Sequence, residues 1–151
     1  MSESNWDHVL AKATEEVLET MFFTSTYGPA QAAEPNAEPR ITAHLTFQGT
    51  PCGVMTLNVT EPAARTLTAN FLAAEPDDSV SASQLDAVVC ELANMICGAV
   101  LSKVEGHAHF HLSSPQLRPP ENVLPSAPPN QSLDLGDGTL SLWLTLENHA
   151  G

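Results

Sequence analysis

Apolar residues recur along this chain with two different periods, and the switches between them divide it into elements. Over residues 5–21, Trp6, Val9, Leu10, Ala13, Val17 and Leu18 fall at helical spacing while Lys12, Glu15 and Glu16 face elsewhere. That is an amphipathic helix, with Asn5 placed to cap it. The period then shortens to two: residues 40–47 and 53–59 alternate apolar or β-branched with polar side chains on either side of Gln48-Gly-Thr-Pro-Cys52, which predicts a β-hairpin. Helical spacing returns over 61–73, with Thr60 at the cap and Pro62 in the first turn, before the acidic turn Glu75-Pro-Asp-Asp78. A longer helix follows, capped by Ser81 or Ser83, running to Val104 and stopped by Gly106. A strand over 107–114 and a closing hairpin, 133–135 with 139–146 around Gly136-Asp-Gly138, complete the chain.

Two stretches carry neither period. Residues 25–39 hold three prolines and few large apolar side chains, and residues 115–130 hold six prolines, at 115, 119, 120, 125, 128 and 129. Proline cannot donate to a central ladder, so both read as exposed connectors. The remaining order of helix, two strands, two helices and three strands predicts an α+β fold, an antiparallel β-sheet with helices on one face. No internal repeat is visible. Residues 1–151 read as a single domain, since 42% hydrophobic content and 15% charged residues suit one sizeable core at this length.

Charge narrows the partners. Eighteen acidic residues against five basic ones, Lys12, Arg40, Arg65, Lys103 and Arg118, give a formal charge of −13, and the basic residues form no patch. Nucleic acid and anionic membrane surfaces are disfavoured. No apolar run is expected to reach the roughly 18 to 20 residues of a membrane span, and Met1-Ser-Glu-Ser-Asn5 lacks the features of a signal peptide, so the expectation is a cytoplasmic protein. Of three cysteines, Cys90 and Cys97 lie seven helical positions apart, about 10 Å, too far to pair; free thiols are expected.

The helix over 86–102 holds the candidate chemistry. At about 100° per residue, with Glu91 at zero, Asn94 falls near −60°, Gly98 near −20°, Ala87 near −40°, and Gln84 and Ser102 near +20°. These six make a narrow polar or small stripe. Opposite them stand Leu85, Val88, Val89, Leu92, Ala93, Ile96, Ala99 and Val100, an arc wide enough to anchor the helix on a core. The helix would then present Glu91 and Asn94 outward, with Gly98 leaving the face bare one turn later for close approach by a partner. Asn94 has no group that titrates near neutrality and cannot act as a general base, but its amide can hold and orient a water.

A second cluster, His107-Ala-His109-Phe-His111, places three imidazoles on one strand face. Neighbours on that face are about 6.6 Å apart, with no cysteine or carboxylate at supporting spacing, so an outer strand face is the plain reading and a zinc or nickel site the alternative. Nothing matches a Gly-rich phosphate loop or a nucleophile elbow, and no serine or cysteine has an identifiable base partner.

Glu91-Leu-Ala-Asn94-Met-Ile-Cys-Gly98 resembles the Glu-x-x-Asn-x-x-x-Gly core of the CheX/CheC-type phosphatases, in their single-site, CheX-like form. Phe47-Gln-Gly49 with Gly53-Val-Met-Thr-Leu-Asn-Val59, the short helix from Pro62, Leu112-Ser-Ser-Pro115 and Glu19-Thr-Met21-Phe-Phe23 extend the likeness over residues 6 to 148. One departure is Ala87, where the family commonly carries Asp or Ser; the nearest acid, Asp86, points away from the stripe. The resemblance implies a phosphatase (hydrolase) acting on the aspartyl phosphate of a response-regulator receiver domain, CheY-like, in chemotaxis or other two-component signalling. It implies Glu91 and Asn94 as catalytic residues, Asn94 orienting the attacking water and Glu91 engaging a partner cation or polarising that water. It also implies no cofactor of the chain's own, Mg on the receiver substrate, and a homodimer. The alternative is a non-catalytic receiver-binding adaptor of the same fold, which Ala87 keeps open.

Overall fold

The computed structural model describes residues 3–28, 40–49, 52–73, 80–104, 110–117 and 129–147. Alternation builds the sheet first. Strand β1 (Arg40–Gln48) and strand β2 (Cys52–Thr60) pair antiparallel from Arg40↔Thr60 to Phe47↔Gly53. On the other side of β2 lies the last strand, β6 (Thr139–Glu147), which also pairs with β5 (Gln131–Asp134). Two short strands, β3 (His111–Leu112) and β4 (Gln116–Leu117), share the outer edge of β1, giving the order β3-β1-β2-β6-β5 with β4 beside β1. Every pairing among the described strands is antiparallel.

Because directly paired residues point the same way, the register sorts the sheet into two faces. One carries Ala43, Leu57 and Leu142 in one row, and Leu45 with Met55 in the next, all fully buried. Against it pack three helices, α1 (Glu3–Met21), α2 (Glu61–Leu72) and α3 (Ala82–Val104). The other face is mixed, carrying Thr42, Asn58 and Ser141 together with Val54 and the buried Trp143. There Arg40 Nη1 donates to Asn58 Oδ1 at 2.7 Å, Asn58 Nδ2 donates to Thr42 Oγ1 at 2.8 Å, and Ser132 and Ser141 share a hydroxyl bond at 3.0 Å. Phe47 fills the space that a side chain at Gly53 would need, which ties the two residues of that pair to each other.

α3 sits on β1 and β2 and packs against both other helices. Lys103 Nζ reaches Glu16 Oε2 of α1 at 2.9 Å, an exposed pair that contributes little, while Phe22 stacks on Phe71 of α2 with ring centroids 5.0 Å apart.

Several sequence expectations change in detail. The first helix begins at Glu3, so Asn5 lies inside it instead of capping it. Thr60 stands at the cap of α2 but makes no capping bond; its hydroxyl accepts the Thr139 N–H at 3.2 Å, because the neighbouring strand competes for it. The predicted strand over 107–114 is described only as the two residues of β3, and Gly106, His107 and His109 lie outside the described residues, as does the 75–78 turn. Part of each predicted connector joins the sheet: Tyr27 N–H donates to Asp134 O at 2.8 Å and Asp134 N–H to Gly28 O at 3.0 Å, while Gln116 and Leu117 form β4 on the edge of β1. Both additions sit at sheet edges, where a proline-rich chain can still contribute donors between its prolines.

The membrane expectation also needs correcting. Ala82–Lys103 is long and apolar enough, by length and composition, to cross a bilayer. Its apolar character has another cause: Leu92, Ala93, Ile96, Cys97 and Val100 are each at most 1% exposed within the protein, so α3 is a core helix.

Candidate functional site

The start of α3 is fixed by its own sequence. Ser81 Oγ accepts the Gln84 N–H at 3.1 Å and Gln84 Oε1 accepts the Ser81 N–H at 2.9 Å, a reciprocal capping box that satisfies two donors and settles Ser81 over Ser83 as the cap. From there the apolar arc locks the rotation of the helix, burying Leu85, Val88, Val89, Leu92, Ala93, Ile96 and Val100. What remains outward is the stripe: Gln84, Ala87, Glu91 and Ser102 are exposed, and Asn94 and Gly98 half-exposed.

Glu91 and Asn94 therefore stand one turn apart on an accessible face. Among the described residues neither side chain enters a hydrogen bond or ion pair; the ion pairs there are Arg65 with Glu61 and Lys103 with Glu16. A carboxylate and a carboxamide so placed have their bonding capacity directed at whatever docks on the helix. A helix face is convex, which suits a macromolecular partner better than an enclosed small molecule.

The stripe narrows along the helix in a way the wheel did not indicate. Cys97 and Leu101, which the wheel puts near −120° and −80°, are 1% and 3% exposed, whereas Cys90 and Asn94, earlier on the same flank, are half-exposed. Asn94 thus marks where covered surface gives way to open surface. On the opposite flank Met95, near +40°, is half-buried and adds an apolar margin that the sequence reading left out. Its position on the wheel was the available signal. Burial pushes the Cys97 thiol up to about 12; Cys90 is raised too, by burial and then by the negative charge of Asp86 one turn before it. Both stay protonated thiols near neutrality, and neither is in a disulfide.

The histidine cluster is not assembled among the described residues: His111 is exposed on β3, opposite Gln48, and no group of three or more His, Cys, Asp or Glu residues there could hold a metal ion. The segment resembling the family downstream of the motif is placed on the edge of β1. Leu112 pairs with Phe47, Ser113 N–H donates to Thr46 O at 2.8 Å, and Ser113 Oγ accepts the Thr46 N–H at 2.9 Å before Pro115 interrupts the ladder.

The family model of chemotaxis phosphatase CheX matches residues 41–131, from the first strand through the whole of α3. The chain belongs to the CheX family. No curated protein matches it significantly in sequence. Its fold is that of CheX/CheC-like proteins of known structure. CheX from Vibrio vulnificus is 16% identical, with a TM-score of 0.72 over 97% of this chain and 99% of that one. A CheC-like superfamily protein from Shewanella sp. PV-4 is 18% identical, with a TM-score of 0.71 over 98% and 100%. A CheX–CheY–BeF3–Mg complex from Borrelia burgdorferi contains a chain 14% identical, with a TM-score of 0.69 over 95% and 98%.

Proposed function

We propose that this CheX-family chain dephosphorylates the aspartyl phosphate of a CheY-like receiver domain, with Glu91 and Asn94 as the residues that act on the partner. The observation that carries this reading is the pair itself: two polar side chains one turn apart, accessible and without a polar partner among the described residues, on a helix whose other face is locked into the core. Family membership and the solved complex of a CheX with CheY support the choice of partner.

Hydrolysis of an acyl phosphate needs an ordered in-line water and stabilised charge more than it needs a covalent helper. The receiver brings its own Mg ion and lysine as part of the substrate. Asn94 accepts from and donates to the attacking water and holds it in line, without taking its proton. Glu91 meets a cation on the receiver, in a charge-assisted contact that fixes docking. No cofactor of the chain's own enters the reaction. The setting is the cytoplasm, and the working form a homodimer, for which light scattering should give twice the 16.1 kDa chain mass.

The test is decay of a phosphorylated receiver with and without the protein. Wild type should accelerate decay. Asn94→Ala should lower the rate by about 10² to 10³ while keeping receiver affinity and changing stability by no more than about 0.5 kcal/mol, since a surface carboxamide supports nothing in the fold. Ala87, exposed where the family commonly has Asp or Ser, favours the adaptor as second reading. Receiver binding by wild type without faster decay would establish it instead.

A further inference from the structure

Gly98 is a poor helix former inside α3, and no described residue gives a reason for it. A Cβ built on Gly98 meets no atom within 4 Å. Gly53 shows what an internal demand looks like: there a side chain would run into the Thr145 carbonyl oxygen and the Phe47 ring. Gly98 has no such neighbour, is half-exposed, and lies on the stripe one turn beyond Asn94, about 6 Å along the axis. Alanine would improve the helix and cause no clash. No described residue demands a bare backbone at this position.

We propose that Gly98 is a positioning residue for the docked receiver: its missing side chain sets the depth at which the partner's surface seats against α3, and so the distance from Asn94 to the phosphoryl group. The inference rests on the phosphatase reading above. A methyl group would raise the helix surface by about 1.5 Å at that point. Misplacement of reacting groups by about 1 Å lowers rates by about 10², so one carbon, a turn away from the water-holding amide, is enough to matter. Gly98 acts through Asn94 and the partner, without touching the reacting atoms.

The experiment is a graded series in the full chain, Gly98→Ala and Gly98→Leu, read by thermal unfolding, by affinity for a receiver charged with beryllium fluoride, and by the steady-state constants for receiver dephosphorylation. Both replacements favour helix, and Gly98→Ala should raise the unfolding midpoint by about 2 to 4 °C. Activity should move oppositely: kcat/KM falls by about 10² for alanine and further for leucine, and receiver affinity drops with side-chain size. Unchanged affinity and turnover in a stabilised Gly98→Ala protein overturns the proposal. So does loss of activity accompanied by a lower unfolding midpoint, which would mark Gly98 as a structural residue. If wild type binds the charged receiver but does not speed decay, the phosphatase reading fails, while weaker binding by Gly98→Ala still establishes Gly98 as setting the approach. If wild type does not bind the receiver, both fall.

Discussion

On the inner side of α3, Leu92 and Ile96 are at most 1% exposed against the sheet and the flanking helices; on the outer side, Glu91 and Asn94 are open to solvent and unengaged by any described residue. The two sides share one backbone and one cap, so their difference lies in the side chains. The inner residues are fixed by volume, because a close-packed core registers the loss of a methylene. Among the described residues nothing polar holds the outer ones: Glu91 and Asn94 have no hydrogen-bond or ion-pair partner there, and a Cβ on Gly98 would meet no atom within 4 Å. On the proposed reading, residue choice on this side is left to the receiver.

The strongest way to break this comparison is Leu92→Ala. It should destabilise the protein by about 2 to 5 kcal/mol through lost burial and a residual cavity, read as a lower denaturant midpoint, while the protein that remains folded keeps its receiver affinity. A change below about 0.5 kcal/mol would mean that the inner face is not the anchor. Glu91→Ala sharpens the opposite side. Loss of a charge-assisted contact should weaken receiver binding by about 1.5 to 3 kcal/mol, with turnover falling as well and the unfolding midpoint unmoved. Isothermal titration against the receiver gives the number, and unaltered affinity would leave Glu91 only the water-polarising role.

A third contrast separates two cysteines on one flank of the helix. Burial raises the Cys97 thiol in the folded chain to about 12, from an ordinary value of 9.0. Above pH 9 the unfolded chain releases this proton while the folded chain keeps it, so stability is fully present below pH 9 and is lost as pH rises towards 12, read as a falling unfolding midpoint. Half-exposed Cys90 should react with a thiol reagent in the native protein, whereas Cys97 should wait for unfolding. Equal reactivity of the two would show that the covered side of the stripe opens readily.

Sequence alone determined the parts of this protein that depend on local period and local chemistry. The alternation in 40–47, 53–59 and 139–146 defined the long strands, the Ser81-x-x-Gln84 spacing permitted the capping box, and the angular arrangement on 86–102 separated Glu91 and Asn94 from the apolar arc, because each of these is set by neighbours within about two turns. Tertiary structure decided what depends on distant segments. Thr60 gave its hydroxyl to Thr139 instead of its own helix, residues 27–28 and 116–117 found partners on sheet edges, and the flank of α3 closed over Cys97 and Leu101 while staying open at Asn94. The shared physical reason is competition: a hydroxyl, a backbone N–H or an apolar flank is satisfied by whichever surface the fold brings nearest, and only the assembled chain specifies which surface that is.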